Sequence, residues 1–499
     1  MSKSSLPPHW NGLQISASRP DTLRDQIVLH FRDSILQGFL RKGARLPSTR
    51  QLSAELRVSR QTVVSAYERL MTEELIESRR GDGAYVSIDF SILREGKRRI
   101  AAQNSLPSPL SARAQQLLDL PITTHPSDKR GLLTPGIPSL DEFPWSTWRK
   151  AGAQSFWGGD SDRLDRTAPL GAEALREAIA SHIAFSRGVV CEPDQILVTA
   201  GAHNAIDLIS RVIFDPGDIV WLEDPSYVAG RGTLIANGAR LHHVPVDRHG
   251  LIVSEGRALA LAARAAFVTP SHQYPLGVTM SRSRRIELLE WAEEQRSWIV
   301  ENDYDSDFRY EGKPPPSLYR LARNYGDRVV YVGTFSNALA PGLRLGFLVA
   351  PPALIDALKR ARIFSARQPP EPLQTQLAEF ISRGDLAAHL RKMGALYKKR
   401  RDAVFNEFDS RRSSGLAPGS KPPASGLHFV VRLADGDDRS LCLKALEKGI
   451  NVPPLSAFFS DPGTGDRGLV IGFAATPIAP ARRAVSALCG LAGKHFNRV

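Results

Sequence analysis

The chain has 499 residues, of which 42% are hydrophobic and 23% are charged, as is ordinary for a soluble globular protein of two or three domains. It has no apolar run of bilayer length, no secretory signal and three scattered cysteines, so we expect a cytoplasmic protein with reduced thiols, no metal site and no membrane partner. The net charge of +13 favours a polyanionic partner such as nucleic acid, although any generically basic protein carries such a charge.

The first predicted domain covers residues 21–88, after a tail of residues 1–20. One helical face is predicted from apolar residues that recur every four positions, namely Leu23, Ile27, Phe31 and Ile35. Two shorter helices follow, and each is preceded by a serine that can cap it, Ser48 and Ser59. A hairpin with a Gly-Asp-Gly tip is predicted over 75–86. Three short helices and a hairpin are typical of a winged helix-turn-helix.

The start of the third helix carries residues that can read DNA. Arg60, Gln61 and Thr62 are predicted to be exposed at its N-terminal end. Recognition helices reach base edges with such residues, because arginine can pair with guanine and glutamine with adenine. Arg79 and Arg80 in the hairpin can contact phosphate groups.

This domain resembles the GntR-type regulators in three segments: Arg45-Leu-Pro-Ser-Thr-Arg50, Val58-Ser-Arg-Gln-Thr-Val63 and Ala66-Tyr-Glu-Arg-Leu70. The resemblance implies binding to double-stranded DNA. The residues that it assigns to DNA contact are Arg50, Ser59, Arg60, Gln61 and Thr62, with the wing glycines Gly81 and Gly83. A small winged helix can also dock proteins, which is the alternative for this domain.

Residues 89–130 are predicted to be a linker. Basic residues dominate 94–99, and serine and proline are frequent over 103–111, a composition typical of a semi-extended connector. A short helix is predicted around 112–120. The basic residues of this linker are either solvated or in contact with the DNA backbone.

From residue 131 to the C-terminus, β-rich apolar runs alternate with helical patterns such as 282–295. The predicted strands are 196–199, 219–222, 266–269, 298–300, 329–332 and 347–350. This alternation predicts an α/β domain with a mainly parallel sheet, whose site should lie at the carboxyl ends of the strands. Two further runs, 427–433 and 469–473, predict a small C-terminal α+β subdomain.

Residues 131–499 resemble the fold-type I, aminotransferase-like domain of the MocR subfamily of GntR regulators. The matching segments follow one another in family order: 199–205, 223–227, 269–277, 301–310 and 333–346. The resemblance implies a fold-type I pyridoxal 5'-phosphate (PLP) transferase fold, a PLP site and a homodimer.

The resemblance assigns most of the PLP site to residues that this chain retains. The start of a helix at Gly201, Ala202 and His203 corresponds to the place where backbone amides hold the cofactor phosphate. Arg344, Thr334 and Ser336 correspond to its other phosphate partners, and Tyr227 and Tyr304 to aromatic residues of the ring pocket. The alternative is that these residues now only stabilise the fold or bind an ordered anion.

Two asparagines stand where the family has its reactive residues. Asn337 takes the position of the lysine whose amine forms a Schiff base with PLP, which an amide cannot do. Asn302 takes the position of the aspartate that pairs with the pyridine nitrogen, and strand alternation should point Asp303 the other way. Val470 stands about where aminotransferases have an arginine for the substrate carboxylate. A single engineered change is the alternative for Asn337, and the second loss at Asn302 argues against it.

We therefore expect a DNA-binding transcription regulator whose aminotransferase-like domain has no catalytic residues and is not an enzyme. That domain would dimerise and could sense a small phosphorylated or amino-acid-like effector. PLP would bind non-covalently at best, or no cofactor would bind. Two alternatives are a working PLP-dependent aminotransferase with an appended DNA-binding domain and a regulator that has no small-molecule ligand.

Overall fold

The computed structural model describes the chain over residues 15–16, 21–36, 39–79, 82–88, 110–121, 131–157, 168–260, 262–463 and 465–496. The wing residues Arg80 and Gly81, most of the predicted tail and most of the predicted linker lie outside this part of the chain. The chain divides into two compact units, Met1–Pro109 and Leu110–Val499.

The smaller unit is the predicted winged helix-turn-helix. Its elements are α1 (Leu23–Leu36), α2 (Thr49–Leu56), α3 (Arg60–Thr72), β1 (Ile76–Arg79) and β2 (Gly83–Val86). The two strands pair antiparallel and form the wing. Three of the four residues of the predicted α1 face are buried in a core with residues of α3 and the wing, and Leu23 is only partly buried. This core includes Ile27, Phe31, Ile35, Val63, Tyr67, Leu70 and Val86.

The two predicted serine caps explain where α2 and α3 begin. Ser48 Oγ accepts a hydrogen bond from the Gln51 backbone N–H at 3.2 Å, and Ser59 Oγ accepts one from the Thr62 N–H at 3.0 Å. Each cap satisfies a backbone donor that has no partner within its own helix. The start of the recognition helix is thus fixed by residues that precede it.

One described part of the predicted linker packs on the larger unit. Its helix α4 (Ala112–Leu118) is capped by Ser111, and the Arg113 guanidinium donates to the carbonyl of Ala236 at 3.1 Å. A Cβ added to Gly232 would lie 3.3 Å from Leu120. Residues 110–121 therefore belong to the surface of the larger unit and do not form an extended connector.

The larger unit is built on an eight-stranded sheet of order β3-β10-β9-β8-β7-β4-β5-β6. Its strands are β3 (Ile196–Thr199), β4 (Ile219–Asp224), β5 (Arg240–Asp247), β6 (Gly250–Leu251), β7 (Ala265–Val268), β8 (Trp298–Asp303), β9 (Val329–Thr334) and β10 (Gly346–Val349). Neighbouring strands from β9 through β5 are parallel, and β10 runs antiparallel between β9 and β3. The predicted mainly parallel sheet is confirmed.

Helices bury both faces of this sheet, which is why strands such as β3, β7 and β10 are fully buried and almost entirely apolar. They are α5 (Trp145–Trp157), α6 (Glu173–Arg187), α7 (Ala202–Ile213), α8 (Val228–Ala236), α9 (Val253–Ala260), α10 (Arg282–Glu294), α11 (Leu318–Ala322), α12 (Pro352–Ile363) and α13 (Glu371–Ser382). One core cluster contains Val198, Ile299 and Tyr331, and a second on the other face contains Leu197, Val300 and Val330.

The predicted small C-terminal α+β subdomain is confirmed. It contains a three-stranded antiparallel sheet of β11 (Leu416–Pro418), β12 (His428–Leu433) and β13 (Gly468–Gly472). Its helices are α14 (Asp385–Asp409), α15 (Asp438–Glu447) and α16 (Ile478–Phe496). Among the helices of the described ranges, none has the length and apolar character needed to cross a membrane.

Candidate functional site

The predicted site residues of the larger unit lie where parallel strands end. Gly201 follows β3, Tyr227 follows β4, Tyr304 follows β8 and Asn337 follows β9. The carboxyl ends of parallel strands meet at one edge of a sheet, so the topology brings these segments together. In β10, the Gly346 backbone pairs with the last residues of both β3 and β9, which draws the loops after those two strands to the same place.

The start of α7 offers unused backbone donors. Gly201 is its N-cap with φ of 91°, a left-handed conformation that favours glycine, and no side chain caps the helix. The N–H groups at Ala202 and His203 and the helix dipole therefore favour an anion here. A Cβ on Gly346 would lie 2.9 Å from the Gly201 Cα, so glycine at position 346 permits the close approach of loop and sheet.

The other predicted phosphate partners are Arg344 and the hydroxyls of Thr334 and Ser336. Arg344 is exposed, has φ of 49° and has no acidic partner in the described part of the chain. The Ser336 N–H donates to Thr334 Oγ1 at 3.2 Å, and the two hydroxyl oxygens lie 3.1 Å apart. Burial and the positive charge of Arg344 both lower the pKa of His203, the second residue of α7.

Aromatic rings line the next part of the site. The Tyr227 ring stacks on the His203 ring with 5.3 Å between centroids, and Tyr274 meets Tyr227 edge-on at 5.5 Å. Burial raises the pKa of Tyr227 to about 12, so its phenol stays protonated and can donate a hydrogen bond. The Tyr304 Oη donates to the His272 carbonyl at 2.9 Å, and burial raises its pKa well above the usual value.

Strand β8 presents different chemistry on its two faces. Asn302 is partly buried, and its Oδ1 accepts no hydrogen bond from any residue that the structure describes. Asp303 points to the opposite face, where its Oδ2 accepts hydrogen bonds from Arg187 Nε and Tyr331 Oη, each at 2.7 Å. Side chains alternate along a strand, so Asp303 is turned away from the position that Asn302 occupies.

Asn337 is 8% exposed and has a fixed orientation. Its Nδ2 donates to the Tyr304 carbonyl oxygen at 3.2 Å. A carbonyl oxygen can only accept, so the amide nitrogen of Asn337 must face Tyr304 and its Oδ1 must face the other way. In the described part of the chain no group donates to that Oδ1. Asn337 thus offers the site a hydrogen-bond acceptor.

These features fit a phosphorylated aromatic ligand such as PLP. The uncapped helix start and Arg344 supply anion partners, the tyrosines supply flat surfaces, and the buried Oδ1 of Asn302 lacks a donor. Neither Asn302 nor Asn337 supplies a charge or a nucleophile. The arrangement can therefore bind such a ligand through hydrogen bonds, charge on the phosphate side and aromatic contact.

Sequence reasoning missed a buried polar group beside the ring pocket. His272 Nδ1 lies 2.9 Å from Asp305 Oδ2, and the His272 and His428 rings lie 4.7 Å apart. All three residues are buried, and one potential ligand atom from each lies within 4.8 Å of the others. His272 and Asp305 belong to segments that the resemblance had marked, whereas His428 comes from β12 and has no local signal in the sequence.

An apolar cluster closes the other side of the ring pocket. Val470 is fully buried and packs with Val228, Leu455 and Phe458, against which the Tyr274 ring also packs. Such a wall has no charge with which to neutralise a carboxylate.

The predicted DNA-contacting residues lie on one end of α3 and on α2. Arg50, Arg60 and Gln61 are exposed, and neither arginine has an acidic partner among the described residues. The Thr62 hydroxyl lies 2.8 Å from Ser59 Oγ, so these two residues stabilise the helix start.

In the wing, Arg79 is more constrained than predicted. Its guanidinium is paired with Glu77 at 2.9 Å and lies over the Tyr85 ring, with its central carbon 4.4 Å from the ring centroid. Gly83 begins β2 with φ of 116°, which the turn requires. Arg79 is therefore held in place but has part of its charge neutralised.

Two family models match the chain. The bacterial regulatory proteins of the gntR family match residues 23–86, and aminotransferase class I and II matches residues 133–488. The second match spans more than half of the chain and the whole of the large sheet.

Similar proteins include regulators over almost the full length. The chain is 36% identical over 468 residues to the probable rhizopine catabolism regulatory protein MocR of Rhizobium meliloti, covering 93% of this chain and 92% of that protein. It is 32% identical over 464 residues to the pyridoxine biosynthesis transcriptional regulator PdxR of Corynebacterium glutamicum, covering 92% and 94% of the two chains.

Solved aminotransferase structures share the fold of the larger unit. An archaeal alanine:glyoxylate aminotransferase superposes with a TM-score of 0.68 at 25% identity, covering 74% of this chain and 92% of that one. A multiple substrate aminotransferase from Thermococcus profundus gives a TM-score of 0.66 at 28% identity, covering 78% and 96%.

Proposed function

Because the chain belongs to the MocR-type regulators, which join a GntR helix-turn-helix to an aminotransferase class I and II domain, we propose that it controls transcription with a large domain that binds a ligand and does not catalyse. The winged unit binds double-stranded DNA. The larger unit forms the homodimer and binds a PLP-like phosphorylated molecule without a covalent bond.

One observation is the main support for the proposal that the large domain does not catalyse. Asn337, at the position that the resemblance assigns to the Schiff-base lysine, is an amide hydrogen-bonded to the Tyr304 carbonyl. An amide nitrogen is not nucleophilic, because its lone pair is delocalised. Asn302, at the position of the pyridine-pairing aspartate, has no negative charge to hold a proton on a ring nitrogen.

The residues of the site have distinct roles in binding. The N–H groups at Ala202 and His203, with Arg344 and the hydroxyls of Thr334 and Ser336, hold the phosphate. Tyr227 and Tyr304 line the ring. PLP, when bound in an active enzyme, supplies an electron sink for carbanions. Here Asn302 and Asn337 are neutral amides, so they interact with the ligand at the ring nitrogen and at the reactive carbon by hydrogen bonds.

In the winged unit, Arg60 and Gln61 read bases in the major groove, while Arg50 and Arg79 contact phosphates. A homodimer presents two such units to two half-sites. A ligand changes transcription only if it binds one arrangement of the two units more tightly than another. The relative PdxR is by its name a regulator of pyridoxine biosynthesis, which supports a vitamer-like ligand for this chain.

The test uses the full-length protein. DNA binding is measured by selection from random duplexes followed by fluorescence anisotropy, and we expect a salt-dependent, sequence-specific complex. PLP is then added, and the visible absorption of a protein-bound imine is followed before and after borohydride. A borohydride-sensitive band with turnover of an amino acid would establish the rival function, a working aminotransferase.

The second alternative, a regulator with no ligand, has its own test. Calorimetric titration with PLP and related phosphorylated vitamers should give binding that depends on Arg344. If no vitamer binds to a protein that still recognises DNA, the large domain serves only as a dimerisation body.

A further inference from the structure

The fixed orientation of Asn337 defines which vitamer the site accepts. This argument rests on the proposed function, since it assumes that the site binds a phosphorylated pyridine. The Asn337 Nδ2 is engaged with the Tyr304 carbonyl at 3.2 Å, and rotation of the amide would place two acceptors against each other. One hydrogen of Nδ2 is thereby used within the protein, and Oδ1, to which no described group donates, is the acceptor that Asn337 offers to a ligand.

The forms of the phosphorylated pyridine (its vitamers) differ in the substituent on the carbon that would face this oxygen. An aldehyde oxygen is only an acceptor, so against an amide oxygen it gains nothing and is repelled. A primary amine is a donor and is protonated at neutral pH, so it can make a charge-assisted hydrogen bond. An alcohol can donate a neutral hydrogen bond. The preference of this position therefore runs from amine to alcohol to aldehyde.

Asn302 is neutral, so it does not favour a protonated ring nitrogen as an aspartate at this position would. Its amide has no partner among the described residues that fixes one orientation, and its buried Oδ1 has no donor. It can rotate to donate to an unprotonated ring nitrogen or to accept from a protonated one. The site therefore does not require a particular protonation state of the ring nitrogen. Its selectivity between forms of the ligand depends on the substituent opposite Asn337.

From this geometry we infer that the site is selective for the amine form of the vitamer, a phosphorylated pyridine bearing an aminomethyl group, over its aldehyde form. In active aminotransferases the lysine captures the aldehyde form covalently. Here the replacement of that lysine by a fixed acceptor inverts the preference. The protein would respond to the aminated vitamer pool.

The experiment measures three affinities on full-length protein by calorimetry. The ligands are pyridoxamine 5'-phosphate, pyridoxine 5'-phosphate and pyridoxal 5'-phosphate, which share ring and phosphate and differ at one substituent. We expect the amine to bind at least about tenfold more tightly than the aldehyde, as one charge-assisted hydrogen bond implies, with the alcohol between them. Mass spectrometry identifies any aldehyde attached to surface lysines so that it can be discounted.

Two variants separate the preference from general binding. Asn337→Leu has a similar volume but no acceptor, so the ratio of amine to aldehyde affinity should fall to about one. Arg344→Ala removes a phosphate partner from an exposed position and should weaken all three ligands while leaving their ratio unchanged. Thermal melting of each variant shows whether it is folded.

The outcomes are distinct. Equal affinities, tighter binding of the aldehyde, or an unchanged ratio in folded Asn337→Leu would overturn the inference. Absence of all binding in a protein that still recognises DNA would also overturn it, while regulation by the winged unit would stand. Amine selectivity in a protein that binds no DNA would support the inference and reject the proposed function.

Discussion

Asp303 and Arg187 form an almost completely buried ion pair in which the carboxylate Oδ2 lies 2.7 Å from the guanidinium Nε. Tyr331 Oη donates to the same oxygen at 2.7 Å, and Arg187 Nη2 donates to Ser271 Oγ at 2.7 Å. Asp303, one of the two acids adjacent to Asn302 in the sequence, is therefore engaged on the other face of β8. It cannot turn to a ring nitrogen without leaving Arg187 unpaired.

This pair should be important for stability. Asp303→Asn leaves the Arg187 charge buried without its partner, and we expect the free energy of unfolding to fall by about 3–5 kcal/mol. Chemical denaturation of the full chain, with the transition of the larger unit followed by circular dichroism, measures this change. Glu294→Gln breaks the exposed pair with Arg257 and serves as control, with a much smaller loss of stability. A similar loss in both variants would contradict the argument.

Arg60→Ala should change DNA recognition. Within the described residues, the exposed guanidinium at the start of α3 makes one long contact, 3.5 Å to Thr49 Oγ1, so it can reach a base. We expect specific binding to weaken by about 1–3 kcal/mol and the preferred base at one position of the site to change. Arg257→Ala alters the net charge equally in the larger unit and should leave the base preference intact. Wild-type selectivity in Arg60→Ala would show that the recognition residues were placed wrongly.

Restoring the two family residues should restore a covalent bond to PLP. In Asn337→Lys the lysine has no carboxylate opposite the ring nitrogen, so we expect a weak imine absorption with PLP. The double variant Asn337→Lys with Asn302→Asp should give a strong, borohydride-sensitive band, because the aspartate favours the protonated ring. No band in a folded double variant would mean that the remaining residues no longer form a PLP site.

Glu223 should make stability depend on pH. Burial, opposed by hydrogen bonds from Thr269 and Gln273, raises the pKa of Glu223 from 4.5 to about 7. The folded protein thus retains a proton that the unfolded chain loses, so this contribution to stability is complete below pH 4.5 and is lost as pH rises through about 7. The loss amounts to about 3 kcal/mol.

The substitution Glu223→Gln tests this dependence. Its amide oxygen can accept the hydrogen bonds of the present Oε2, and its NH2 replaces Oε1, which has no partner among the described atoms. Unfolding measured between about pH 5 and about pH 8 should vary less in this variant than in wild type. Glu255→Gln, on the surface of α9, should follow the wild-type curve. If Glu223→Gln also followed the wild-type curve, Glu223 would not be the source of the pH dependence.

Local signals in the sequence predicted much of the fold. Ser48 and Ser59 marked helix starts because a cap acts within three residues, and apolar strands such as β7 and β10 were visible because both faces of the sheet are covered. Strand β5 (Arg240–Asp247) was missed, since its two histidines and proline weaken the pattern. The antiparallel direction of β10 was not predicted, because it depends on how the chain returns to the sheet.

The site was predictable in part from the family resemblance. Gly201, Asn302 and Asn337 lie in segments that match the family's motifs, and the resemblance assigned them to the site. The pairing of Asp303 with Arg187 joins residues 116 positions apart in the sequence, and the contact of Asn337 with the Tyr304 carbonyl depends on a side-chain torsion. Neither has a local signature, yet they decide what each asparagine can do.

The burial of Val470 limits which activities the large domain could acquire by substitution. At the place where the resemblance puts a carboxylate-binding arginine, Val470 is sealed among Val228, Leu455 and Phe458 with no exposed surface. A guanidinium there would displace these side chains and stand in an apolar enclosure, at a cost of several kcal/mol. On the proposed function, a variant with a lysine at position 337 would capture PLP and still fail to hold an amino acid. Transamination would also require repacking of the apolar cluster around Val470.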